Sequence, residues 1–200
     1  MPVPIVYRKN SESNVSYSFY DIASGTGYQR FYLGGAGTSG ANVLFIAPQA
    51  IASTSGTGTS FIENAAGGIV TSNFDLPFNK TMTMGGEALF EYTMYLAATR
   101  IGWVSIHAYH VNSAAAETSL GYTTSNQPTA GGSGNTYRMS LKLTIAPKTF
   151  SKGEKLRLKV SLFVNAALAY CYTDPADIED TPIAGIPSTF IADIPFVIDL

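Results

Sequence analysis

Thr136-Tyr137-Arg138-Met139-Ser140-Leu141-Lys142-Leu143-Thr144-Ile145 alternates without a break, with Tyr137, Met139, Leu141, Leu143 and Ile145 on one side and Arg138, Ser140, Lys142 and Thr144 on the other. A period of two means a strand with one face in a core and one in water. The stretch from Glu154 to Val164 repeats it, setting Leu156, Leu158, Val160, Leu162 and Val164 against Lys155, Arg157, Lys159 and Ser161. Pro147 to Gly153 joins the two, which therefore read as a long hairpin or as a crossover between two sheets.

Working outward, Ala88, Phe90, Tyr92, Met94 and Leu96 share one face of a further strand, while Glu87, Glu91 and Thr93 share the other. Its aromatic content and its Gly85-Gly86 start favour strand over helix. Trp103 to Val111 is expected to be its antiparallel neighbour, reached through a turn at Arg100 to Gly102. Towards the N-terminus, Val15 to Tyr20 and Tyr28 to Leu33 read as two strands around a glycine-rich turn. Gly34 to Gly40 and the Ser/Thr/Gly tract ending at Ser60 read as loops around an apolar run that Pro48 closes. The tail from Pro187 reads as a last strand, with Pro195 at a sheet edge or forcing a bulge. The prediction is an all-β, single-domain β-sandwich, jelly-roll-like, of roughly eight to ten strands. Residues 1–14 form an N-terminal arm and residues 15–200 the sandwich domain.

Composition narrows the function. Only 13% of the 200 residues are charged, against the usual ~25%, so Ser, Thr, Asn, Gly and Tyr must cover the surface. A net charge of −2 argues against a general nucleic-acid binder. Cys171 is the only cysteine, which excludes an internal disulfide. No apolar stretch reaches the roughly 18 to 20 residues of a membrane helix, so no membrane partner is expected. Arg8 and Lys9 follow the first apolar patch, the reverse of a signal peptide.

The chemical motifs all carry a plain alternative. Gly35-Ala36-Gly37-Thr38-Ser39-Gly40 spells a dinucleotide fingerprint, but a β run rather than a helix follows it. His107 and His110, three apart on a strand, point to opposite faces, which disfavours a metal site. Cys171 sits among aromatics and reads as a buried, inert thiol. Asp174, Asp177, Glu179 and Asp180 crowd one loop that reads as solvated, with calcium as the alternative. Glu87 and Glu91 share a strand face, as a glycosidase acid pair would. No catalytic, cofactor-binding or metal residue is therefore predicted, and the chain is expected not to be an enzyme.

Seven of the twelve basic residues lie between Arg138 and Lys159. Lys142, Arg157 and Lys159 all point away from the core and suggest a basic face. The acidic loop carrying Asp174, Asp177 and Asp180 would complement it on a neighbouring copy.

Ala146-Pro147-Lys148-Thr149-Phe150-Ser151-Lys152-Gly153-Glu154-Lys155-Leu156-Arg157-Leu158-Lys159-Val160 and Tyr20-Asp21-Ile22-Ala23-Ser24-Gly25-Thr26-Gly27-Tyr28-Gln29-Arg30-Phe31-Tyr32 together resemble β-rich virion proteins of tailed phages and related viruses. The resemblance implies a capsid decoration or minor capsid protein, assembled in the host cytoplasm without a signal peptide. Its implied partners are copies of itself, as a trimer for instance, and a major capsid protein. Two readings compete with it. One is a carbohydrate-binding sandwich, or a receptor-binding fibre component, in which Tyr92, Tyr95, Trp103 or Tyr109 stack on sugar rings. The other is a glycoside-acting enzyme using Glu87 and Glu91.

Overall fold

A computed structural model describes residues 15–16, 26–36, 43–47, 61–65, 67–131, 134–166, 168–173 and 189–197. The described elements are all strands: β1 (Val15–Ser16), β2 (Thr26–Ala36), β3 (Val43–Ala47), β4 (Phe61–Asn64), β5 (Gly68–Pro77), β6 (Met82–Leu96), β7 (Gly102–Val111), β8 (Glu117–Thr124), β9 (Asn135–Phe150), β10 (Lys155–Val164), β11 (Ala169–Tyr172) and β12 (Phe190–Val197). They form two antiparallel sheets. In the eight-stranded sheet the order is β1-β2-β12-β6-β11-β4, with β3 also on β2 and β9 on the far side of β6; the four-stranded sheet runs β5-β10-β7-β8.

The pairing is nested. β7 pairs with β8, β6 with β9, β5 with β10 and β4 with β11. One long doubled-over ribbon, rolled so that successive pairs fall in alternate sheets, gives this arrangement. That is jelly-roll connectivity, and the all-β sandwich expected from the sequence is present.

Alternation drives it. Leu156, Leu158, Val160, Leu162 and Val164 are completely buried, as are Ala88, Phe90, Tyr92, Met94 and Leu96 from the facing sheet, and together they belong to one core. Each Leu or Val so buried contributes roughly 1.5 to 3 kcal/mol, which is why register is firmly held where both inner faces are this apolar.

Two local expectations change, and two pairs of alternatives resolve, one to a crossover and one to a bulge. β6 and β7 are not neighbours, because the chain crosses to the other sheet at Ile101. β9 and β10 likewise lie in different sheets, so the crossover reading holds and the hairpin does not. Gly34 and Gly35 are paired within β2 rather than in a loop. Pro195 lies between β2 and β6, where a bulge between Asp193 and Phe196 absorbs its missing donor. β9 carries a second bulge where Met84 and Gly86 pair with Lys148 and Ile145. There a Cβ on Gly85 would lie 2.6 Å from the Pro147 Cα, so the glycine makes room for the bulge. The N-terminal arm, residues 37–40 of the glycine motif and residues 174–180 lie outside the described residues.

Candidate functional site

The outer face of the four-stranded sheet gathers more exposed side-chain chemistry than any single motif suggested. Register aligns its residues in rows across the strands. One row is Thr71, Ser161, Ser105 and Thr124, four small hydroxyl residues in line on β5, β10, β7 and β8. Thr71 Oγ1 and Ser161 Oγ are 2.9 Å apart, and Thr124 donates to the Tyr122 hydroxyl at 2.6 Å. On one side of this row stand Ile69, Phe163 and Trp103; on the other stand Asn73, Lys159, His107 and Tyr122. Trp103 and Phe163 stack with centroids 3.6 Å apart, and Ile69 and Tyr122 are 66% and 60% exposed. Small residues between bulky ones make a furrow. Strand spacing gives it a length of about 14 Å, and the flanking rows lie roughly 13 Å apart along the strands.

Charges close one end of this face. Arg157 holds both Asp75 oxygens, at 2.6 and 2.7 Å, and donates to Glu117 at 2.7 Å. Lys159 donates to Glu117 at 3.1 Å and sits 4.6 Å above the Tyr109 ring. The Arg157 hydrogen bond holds the Asp75 carboxyl below its ordinary range against the opposing effect of burial. His107 is clamped between hydroxyls, with Nε2 2.7 Å from Ser119 Oγ and Nδ1 2.9 Å from the Tyr109 hydroxyl.

Desolvation, then Lys159, lowers the His107 pKa from the ordinary 6.5. A depressed histidine adds stability that is present above the unfolded pKa and lost as pH falls through the folded one. Proton NMR of the imidazole should therefore give a midpoint below 6.5. Lys159→Ala should raise that midpoint, because it removes a repelling charge; a midpoint that stays put would show that Lys159 does not act on the ring.

The basic face does not exist as one surface. Arg157 and Lys159 lie on the furrow face, but Lys142 points out of the opposite sheet and donates to Glu87 at 2.8 Å. Outward from β9 and outward from β10 are opposite directions, and each cation already has a carboxylate of this chain. Asp174, Asp177 and Asp180 lie outside the described residues.

Glu87 and Glu91 are four residues apart on one strand, about 13 Å, beyond the roughly 5 to 9.5 Å of a glycosidase pair. Glu91 moreover pairs with Arg138 at 3.2 Å. Of the two histidines, His107 faces out and His110 faces in, its Nε2 3.0 Å from Glu154 Oε2. Cys171 is fully buried, and burial pushes its thiol pKa far up.

Of the four aromatics proposed for sugar stacking, Tyr92 is buried in the core and Tyr95 stacks on Tyr170, in the other sheet, with centroids 5.8 Å apart. Trp103 and Tyr109 do share the furrow face. Phe163 and Tyr122 were not singled out, although the alternation of residues 154–164 already puts Phe163 on the wet side.

The fold and this face define a jelly-roll sandwich whose outer sheet face carries a row of hydroxyls between rows of larger side chains. No protein-family model matches the chain, and no curated protein matches it. Among solved structures, a CocE/NonD family hydrolase from Staphylococcus aureus superposes with a TM-score of 0.52 at 8% identity, over 86% of this chain and 37% of the hydrolase. An α-amino acid ester hydrolase gives 0.44 at 10% identity, over 84% of this chain and 35% of that one. An aminopeptidase from the marine sediment archaeon Thaumarchaeota archaeon gives 0.42 at 10% identity, over 64% and 26%. At 8% identity the likeness to the CocE/NonD hydrolase is one of fold.

This corrects the expectation of a virion structural protein, whether capsid decoration or minor capsid. A solved structure that superposes on this fold with a TM-score of 0.52 is a hydrolase and not a virion component. Low charge and Ser/Thr/Gly-rich surfaces suit the scaffold, and one scaffold serves many functions.

Proposed function

We propose that this domain is a non-catalytic recognition module that holds an extended carbohydrate chain in the furrow of the four-stranded sheet. The observation that carries this reading is the line of hydroxyls from Thr71 through Ser161 and Ser105 to Thr124, walled by Trp103 and Phe163 on one side and Tyr122 on the other. Each hydroxyl both donates and accepts, as sugar hydroxyls do. The aromatic walls offer apolar surface to the C–H faces of the rings. The non-catalytic part rests on His107. Its second nitrogen meets the Tyr109 hydroxyl, whereas a serine–histidine nucleophile relies on a carboxylate there to stabilise the imidazolium.

Calorimetric titration of the chain with a panel of oligosaccharides and soluble polysaccharides tests the reading. Saturable binding of at least one glycan, with no release of reducing ends, is the expected result. No binding across the panel would remove the carbohydrate, and release of reducing ends would remove the non-catalytic role.

A further inference from the structure

A cavity of about 400 Å³ opens at one end of the sandwich, between the two layers and away from the furrow. Its floor is apolar: Phe31, Phe78 and Met84 are buried, and Met82, Leu76 and Phe196 are partly buried. Its polar lining residues among those described are Gln29, Asn79 and Lys80, of which Asn79 and Lys80 are exposed and so stand at the mouth; no carboxylate is among the described lining residues.

The wall is pre-formed. Phe78 N donates to the Glu154 carbonyl at 2.9 Å, and Gly153 N donates to the Phe78 carbonyl at 2.8 Å. The Phe78 ring stacks on Phe150 with centroids 4.5 Å apart. The segment between β5 and β6 is thereby tied to the turn between β9 and β10.

We propose that this cavity binds a linear acyl carboxylate, with the hydrocarbon tail among the phenylalanines and methionines and the carboxylate at Lys80 and Asn79. A cavity of this volume with a few polar groups at its rim is the usual form of a small-ligand site. Phenylalanine and methionine suit an alkyl chain: methionine adapts its shape to a flexible ligand, and none of the described floor residues would satisfy the hydroxyls of a sugar. Lys80 at the mouth, with the Asn79 amide beside it, complements a single negative charge. The tail supplies most of the affinity and the charge selects the head group.

The test is calorimetric titration of the full chain with decanoate, below the concentration at which it forms micelles, beside decanol and acetate. Saturable one-to-one binding of decanoate is expected, with acetate silent and decanol weaker. Met82→Trp fills the cavity and should abolish the signal. Lys80→Glu, at an exposed position, should weaken decanoate about fivefold, the size of one exposed ion pair, and leave decanol unchanged. Thermal unfolding of both variants at the wild-type temperature shows that they fold. Absence of saturable binding, or binding indifferent to Met82→Trp in a folded variant, would overturn the site. Equal affinity for decanol and decanoate, with no effect of Lys80→Glu, would overturn the carboxylate.

Discussion

Gly121→Ala should lower the unfolding temperature of this protein by about 6 to 12 °C, on a cost of about 3 kcal/mol for forcing a side chain into a filled space. Gly121 lies on β8 next to a bulge, where Ala108 and Tyr109 pair with Gly121 and Ser119. The bulge brings its backbone onto β9, so that an added Cβ would run into the Thr144 carbonyl oxygen and meet Leu143 Cδ1 at 3.1 Å. A side-chain obstacle can rotate away, but this oxygen belongs to a strand paired with β6 along its length. Relief requires β8 to lift from β9, which opens the edge where the two layers meet. Gly153→Ala is the contrast. It has open space but a φ of 90°, so only the left-handed backbone is strained, for about 1 to 2 kcal/mol. Differential scanning calorimetry of the two variants separates the mechanisms. A Gly121→Ala protein melting with the wild type would show that the layers do not meet as described.

Trp103→Ala should weaken the glycan found in the titration at least about tenfold, because a central aromatic carries a large share of a binding face's energy and tenfold is only 1.4 kcal/mol. Trp103 is partly exposed and stacks on Phe163 rather than filling the core, so the variant should fold. Tyr122→Ala should weaken the same glycan from the opposite wall. Tyr95→Ala, on the other sheet, should leave it unchanged. If Trp103→Ala binds as the wild type does, the furrow is not the binding surface.

The strands whose two faces differ most sharply were legible in advance. β6, β9 and β10 show it, because their inward residues are mostly large and apolar while their outward ones are mostly charged or small, Phe163 and Tyr95 being exceptions. β5 was not found: its Thr71, Ser72 and Asn73 put polar residues on both faces and hide the period. β8 was missed for a related reason, since the bulge at Gly121 breaks its alternation. The candidate site was half visible. Trp103 and Tyr109 could be placed on one face by counting, but Tyr92 was offered as exposed although its own strand's periodicity put it with Phe90 and Met94 inside.

What the amino-acid sequence alone determined is the class: alternating apolar residues with glycine-rich breaks specify strands, a dry inner face and a β-sandwich. Which strands lie together was decided only by tertiary structure. Pairing β5 with β10 and β4 with β11 joins residues far apart in the chain, and no local propensity encodes that closure. The same closure decides what each outward residue faces. It sent Lys142 and Lys159 to opposite sides of the molecule and gave each a carboxylate from elsewhere in the chain. It also lined up four hydroxyls from four strands, since a row across a sheet is a property of register and not of any one segment.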